Sequence, residues 1–174
     1  MRIMTALALG AASLLLGGCG DLISLHALYT ERDRVLDAVL EGRWEDEDQE
    51  VVLIVQLAGA RYDVTLQSKE NLSEKTEYEM RLVDIKGVRF ADLIPLDGFG
   101  HMFLKVRLAG GQLRFAFFDS EWLRQRIPHE EADQSNGRKQ AVLTAQTPKL
   151  REMVAKYASE PRAYDDEIVF WRPK

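Results

Sequence analysis

Six apolar runs follow one another between residues 50 and 118, and most of them alternate with a period of two. Successive side chains on a strand point to opposite faces, so this period marks strands with one face toward a core. Residues 61–67 are the cleanest case: Tyr62, Val64 and Leu66 share one face, and Arg61, Asp63, Thr65 and Gln67 share the other. Residues 76–85 set Tyr78, Met80 and Leu82 inward, and residues 101–108 do the same with Met102, Leu104, Val106 and Leu108. In residues 88–94 the inner set reads as Val88, Phe90 and Ile94. Residues 50–57 are apolar on both faces, as in a strand covered on both sides, and residues 113–118 close the series. Gly59-Ala60, Lys86-Gly87 and Gly110-Gly111 separate runs at hairpin distance. Such a chain is confined to an antiparallel meander.

The flanks read differently. Residues 20–34 are mixed and mostly polar, and read as a tether; Val35-Leu36 and Val39-Leu40 suit a short helical turn. Beyond the meander, Asp119 or Ser120 can cap a helix bearing Trp122, Leu123 and Ile127, which Pro128 ends. Residues 129–140 are polar and read as a mobile loop, and residues 141–145 as a short strand. Thr147-Pro148 offers a capping hydroxyl and a proline at the first helical position. Leu150, Met153, Val154 and Tyr157 then form one apolar stripe, so the helix should pack on the sheet. Residues 168–172 read as the final strand. The expected fold is mainly β, with about eight or nine antiparallel strands and two short late helices.

The N-terminus carries an address. Arg2, the apolar residues 3–16 and Gly17-Gly18 match the positive, apolar and small-residue parts of a secretory signal. The apolar stretch is shorter than the roughly 20 residues of a membrane-spanning helix. Leu16-Gly17-Gly18-Cys19 resembles the lipobox of bacterial lipoproteins. That resemblance implies removal of residues 1–18, a diacylglycerol on Cys19 and an acylated new amine. One acyl chain gives only marginal membrane binding, so such multiple acylation makes a stable anchor. In enteric-type sorting an aspartate directly after the cysteine retains a lipoprotein at the inner membrane. Gly20 stands there instead, which implies the outer membrane, with the protein facing the periplasm. The division expected is a signal peptide at 1–18, a lipid-anchored tether at 19–41 and one β domain at 42–174.

Removing residues 1–18 takes only Arg2 from the charge count, so the net charge moves from −5 to −6. That balance argues against nucleic acid and against a polybasic grip on anionic lipid. Cys19 is the only cysteine. Once acylated it leaves no thiol for disulfide, redox, zinc-cysteine or nucleophilic chemistry.

Gly42-Arg43-Trp44 opens the β region, and Gly-x-Trp at a first strand resembles the lipocalins and their calycin relatives. The resemblance implies an antiparallel barrel. In it Gly42 would let the chain onto the barrel floor and Trp44 would plug that floor. Arg172, on one alternation face with Ile168 and Phe170, would stack on the tryptophan. The alternative is that Trp44 is simply a core aromatic.

The residues that could carry catalysis or bind a metal form no complete motif. His26, His101 and His129 are far apart, and His129-Glu130-Glu131 lacks the second histidine of a zinc helix. The acidic run Glu45-Asp46-Glu47-Asp48 lacks the oxygen spacing and glycine of a calcium loop, and reads as a solvated turn. Ser120 has no nucleophile elbow around it. Asp92 shares a strand face with Val88, Phe90 and Ile94. It is either a polar anchor inside a barrel cavity or a strand-end group reached by water; Asp84 invites the same pair of readings. No cofactor or metal is expected. The function expected is non-enzymatic: a binding or interaction module at the periplasmic membrane surface, held by acyl chains on Cys19. Its partner would be a protein or a small apolar ligand. The alternative is a structural scaffold of the envelope without a small ligand.

Overall fold

Strand β3 (Gly42–Asp46) pairs on one side with β4 (Val51–Ala58) and on the other with β12 (Ile168–Trp171), so the first and last strands of the barrel meet in one sheet. The computed structural model describes residues 22–134 and 137–173; Cys19 and the segment read as a signal peptide lie outside them. From β4 the chain continues through β5 (Arg61–Ser68), β6 (Lys75–Ile85), β7 (Val88–Pro95), β8 (Met102–Ala109) and β9 (Gln112–Phe117). Each pairs antiparallel with the next, and β12 lies between β9 and β3. Pairing of β6 with β7 closes the ring, giving an eight-stranded, lipocalin-like antiparallel barrel. A short strand β2 (Arg34–Val35) adds to the outer end of β6. The turn at Gly110-Gly111 has positive φ at both residues, +61° and +77°, the backbone that a two-residue hairpin needs and glycine adopts freely.

The alternation places its apolar faces as expected in most strands. Trp44, Val55, Tyr62, Met80, Leu82, Leu104, Leu113 and Phe170 belong to one buried cluster inside the barrel. A second cluster lies outside the barrel wall. Val83, Ile85, Phe90 and Phe103 pack there against helices α1 (Ser120–Arg124) and α2 (Thr147–Tyr157), through Leu123, Leu150 and Val154.

Three expectations are corrected. The stretch read as a tether up to residue 41 is part of the fold from Leu22 onward. Strand β1 (Leu22–Ser24) pairs in parallel with β11 (Lys139–Leu143), Ile23 is buried, and Leu28 is fully so. Its partners are more than a hundred residues away, so no local period announces it. The helical turn expected near Val35 is divided between β2 and a 3-10 turn at Ala38–Leu40. The polar segment 129–140, read as a loop, contributes strand β10 (Glu130–Asp133), which pairs with β11. Its exposed Glu130, Glu131 and Asp133 charge the edge of the small sheet β1-β11-β10 and discourage further pairing.

Both late helices begin close to where the sequence places them. Asp119 caps α1 by accepting from the Trp122 N–H at 2.9 Å. The Thr147 hydroxyl does not cap α2; it donates to the Ala27 carbonyl at 2.7 Å, and Gln146 occupies the cap position without a side-chain bond. Arg151 of the same helix donates to the Leu28 carbonyl and pairs with Asp33. Helix α2 therefore clamps the N-terminal strap against the barrel.

Candidate functional site

The floor of the barrel is built from the first and last strands. Trp44 is 1% exposed, and its Nε1–H donates to the Leu40 carbonyl at 2.9 Å. The Arg172 guanidinium carbon lies 3.9 Å from the centre of the indole ring. Nη2 of Arg172 donates to the Val39 carbonyl at 2.6 Å. Arg172 is itself exposed, so it separates the indole from solvent. Gly42 has φ +131°, and a Cβ there would fall inside the van der Waals envelope of Arg172 Nη1. The structure thus brings Gly42, Trp44 and Arg172 together in one closure.

Above this floor lies a lumen with little free space. Its cavity measures about 70 Å³ and is lined by Val55, Val64, Tyr78, Met80, Phe115 and Phe170 among other apolar side chains. An apolar cavity of about 150 Å³ stays dry and holds one benzene, so this lumen is far too small for a lipid cargo. The phenol of Tyr62 sits nearer the floor. It donates to the Asp37 carbonyl and accepts from the Asp37 N–H, and burial pushes its ionisation up.

Asp92 is not inside the lumen, nor does water reach it. Ala91 and Leu93 are the lumen-facing residues of β7, and Phe90 belongs to the outer cluster. Asp92 therefore faces outward, yet it is fully buried, because the N-terminal strap covers it. The Leu28 N–H donates to its Oδ2 at 2.7 Å, and His101 Nδ1 lies 2.6 Å from its Oδ1. Burial raises the carboxyl above its ordinary range, opposed by His101, the Leu28 N–H and Arg81. Arg81 stands opposite on β6, with its guanidinium 4.6 Å from the Tyr29 ring. The pairing holds the strap at two points, since Ser24 and His101 also exchange both backbone hydrogen bonds at 2.8 Å.

Sequence reasoning missed His101 and Leu28 as partners of Asp92. One signal was available. The opposite parity of residues 88–94 keeps the carboxylate out of an apolar lumen at the cost of turning Phe90 outward. That arrangement needs a second core outside the wall, which only a tertiary cover can provide.

The remaining candidates have local explanations. Asp84 is exposed and pairs with Arg89. In the acidic run, Asp46 accepts from the Val51 N–H at 2.9 Å and Glu45 pairs with Arg43 and Lys69. His129 lies against the Ile127 carbonyl and Glu131, and His26 against Gln146. Among the described residues, no three His, Cys, Asp or Glu side chains are gathered as a metal site would need, and no helix is long and apolar enough to cross a membrane. Cys19 lies outside the described residues. No protein-family model matches this chain, and no curated protein or solved structure does.

Proposed function

We propose that this protein is a lipid-anchored envelope protein whose barrel is a non-enzymatic interaction module at the periplasmic membrane surface, with the outer membrane as its site. The supporting sequence is Leu16-Gly17-Gly18-Cys19, with Gly20 after the cysteine. The observation that carries the module reading is the lumen: its own side chains fill it to a residue of about 70 Å³. A barrel filled in this way offers its surface, so a protein partner suits it better than a large apolar cargo. Native mass spectrometry of the detergent-extracted protein tests the reading. The expected species is the chain from Cys19 with its acyl additions, accompanied by a stoichiometric partner. An acylated chain that always flies alone would leave a scaffold without a ligand, and an unacylated chain would remove the anchor.

A further inference from the structure

We infer that an extended segment of a partner protein, apolar and acidic in alternation, docks as an added strand in a slot between β7 and β8 beside the barrel floor. This deepens the interaction-module reading and rests on it. β7 and β8 pair from Leu93↔Met102 to Phe90↔Lys105, and the register stops there. β8 runs on to Ala109, and β7 runs back to its hairpin turn with β6 at Lys86-Gly87. A cavity of about 420 Å³ stands between them, lined by Gly87, Val88 and Arg89 on one side and by Val106, Arg107 and Leu108 on the other.

The slot presents a strand edge. Residues flanking a two-residue hairpin bond to each other, and the next residue along turns its backbone groups the other way. Val88 pairs with Ile85 and Ala109 with Gln112 across such hairpins, so Val88 faces β6 and Ala109 faces β9. By alternation Leu108 turns its N–H and C=O toward the slot, as Leu104 does where it meets Ala91. Among the described residues, neither backbone group of Leu108 has a backbone partner there. The charged groups around the slot are engaged: Arg89 with Asp37 at 2.7 Å and Asp84 at 3.1 Å, Lys105 with the Ala158 carbonyl at 3.1 Å, and Arg107 with Glu167 at 3.0 Å. What the slot lacks is therefore a backbone, and an unpaired strand edge recruits an extended one.

The other edge of the same hairpin already holds such a strand. β5 and β6 part after Tyr62↔Met80, and β2 takes the freed edge of β6 through Arg34↔Val83 and Val35↔Leu82. The walls of the slot set the composition of its occupant. Val106 and Leu108 turn their side chains to the barrel interior, whereas Arg107 is exposed on the outer wall. Arg107 and Arg114 share the Glu167 carboxylate, so a carboxylate on the outer face of the segment finds a guanidinium. Inward positions of the segment suit apolar side chains, and outward ones suit Asp or Glu.

The test uses the full acylated protein in detergent micelles, isotopically labelled at leucine, and an acetylated, amidated hexapeptide alternating Val and Glu. Amide hydrogen exchange compares Leu108 with Leu104. In the free protein Leu104 should be protected and Leu108 should exchange freely. The peptide at millimolar concentration should slow Leu108 by about tenfold or more and leave Leu104 as it was. The same peptide N-methylated along its backbone should not. Arg107→Glu should weaken the peptide by about tenfold, and an unchanged affinity would overturn the acidic half of the segment. Leu108 already protected in the free protein, or left unprotected by the peptide, would overturn the slot. Protection that rises with protein concentration alone would give the edge to a second copy of this chain and overturn the partner. A stoichiometric partner in whose complex Leu108 still exchanges freely would overturn the slot and leave the module standing. A chain that always flies alone in native mass spectrometry would remove the module and the partner with it.

Discussion

The guanidinium of Arg172 lies 3.9 Å from the centre of the Trp44 indole, joining the last strand of the barrel to the first. Removing each partner tests this closure. Truncating a buried tryptophan to alanine typically costs about 3–5 kcal/mol, a large share of a total of about 5–15 kcal/mol. Trp44→Ala should therefore lower the melting temperature strongly. Arg172→Ala should cost less, because an exposed cation over a ring contributes about 0.5–1 kcal/mol. Contacting residues couple, so a double-mutant cycle should depart from additivity by about 0.5 kcal/mol or more. Strictly additive losses would show that the contact carries no energy.

Gly42→Ala should destabilise the barrel although it adds one methyl group. The backbone at φ +131° strains any residue with a Cβ, and that Cβ would displace Arg172 from the indole. An unfavourable backbone region alone costs about 1–3 kcal/mol. Denaturant unfolding with Gly42→Ala should show a lower midpoint and a smaller further loss when Arg172→Ala is added. An unchanged midpoint would mean that the chain reaches the floor in another conformation.

Asp92 should make stability depend on pH with a defined sign. Its carboxyl is raised by burial, so it holds its proton more tightly folded than unfolded. Its contribution is then full below the unfolded value of about 3.9 and is lost as pH rises through the folded value. Asp92→Asn removes that loss and keeps a carbonyl for the Leu28 N–H. The melting temperature of the variant relative to the parent should therefore rise with pH across that window. A flat difference would show that His101 and Leu28 fully offset the burial. Asp92→Leu should be worse than Asp92→Asn by about 1–3 kcal/mol, because the Leu28 N–H loses its acceptor.

Cys19→Ser should abolish incorporation of labelled fatty acid and release the protein from the membrane fraction. Labelling that survives the substitution would place the acyl group elsewhere and end the lipobox reading.

The local pattern of this chain determined the strands of its barrel, but not β1, β2 or β10. Side-chain alternation is a property of neighbouring residues, so Tyr62, Val64, Tyr78, Met80, Met102 and Leu104 could be assigned inward without any tertiary knowledge. Gly42, Trp44 and Arg172 were legible for a related reason: each is an unusual residue for its place, and their positions open and close the β region. Tertiary structure decided the rest. Whether Phe90 or Ala91 faces the lumen depends on whether a second core covers the outer wall. That core is assembled from α1, α2 and a strap whose pairing partner, β11, is more than a hundred residues away. The same long-range pairing made β1 and Leu28 part of the domain, buried Asp92 and supplied His101 as its partner. Periodicity reports which face of a strand is apolar; it cannot report what will come to cover the other face.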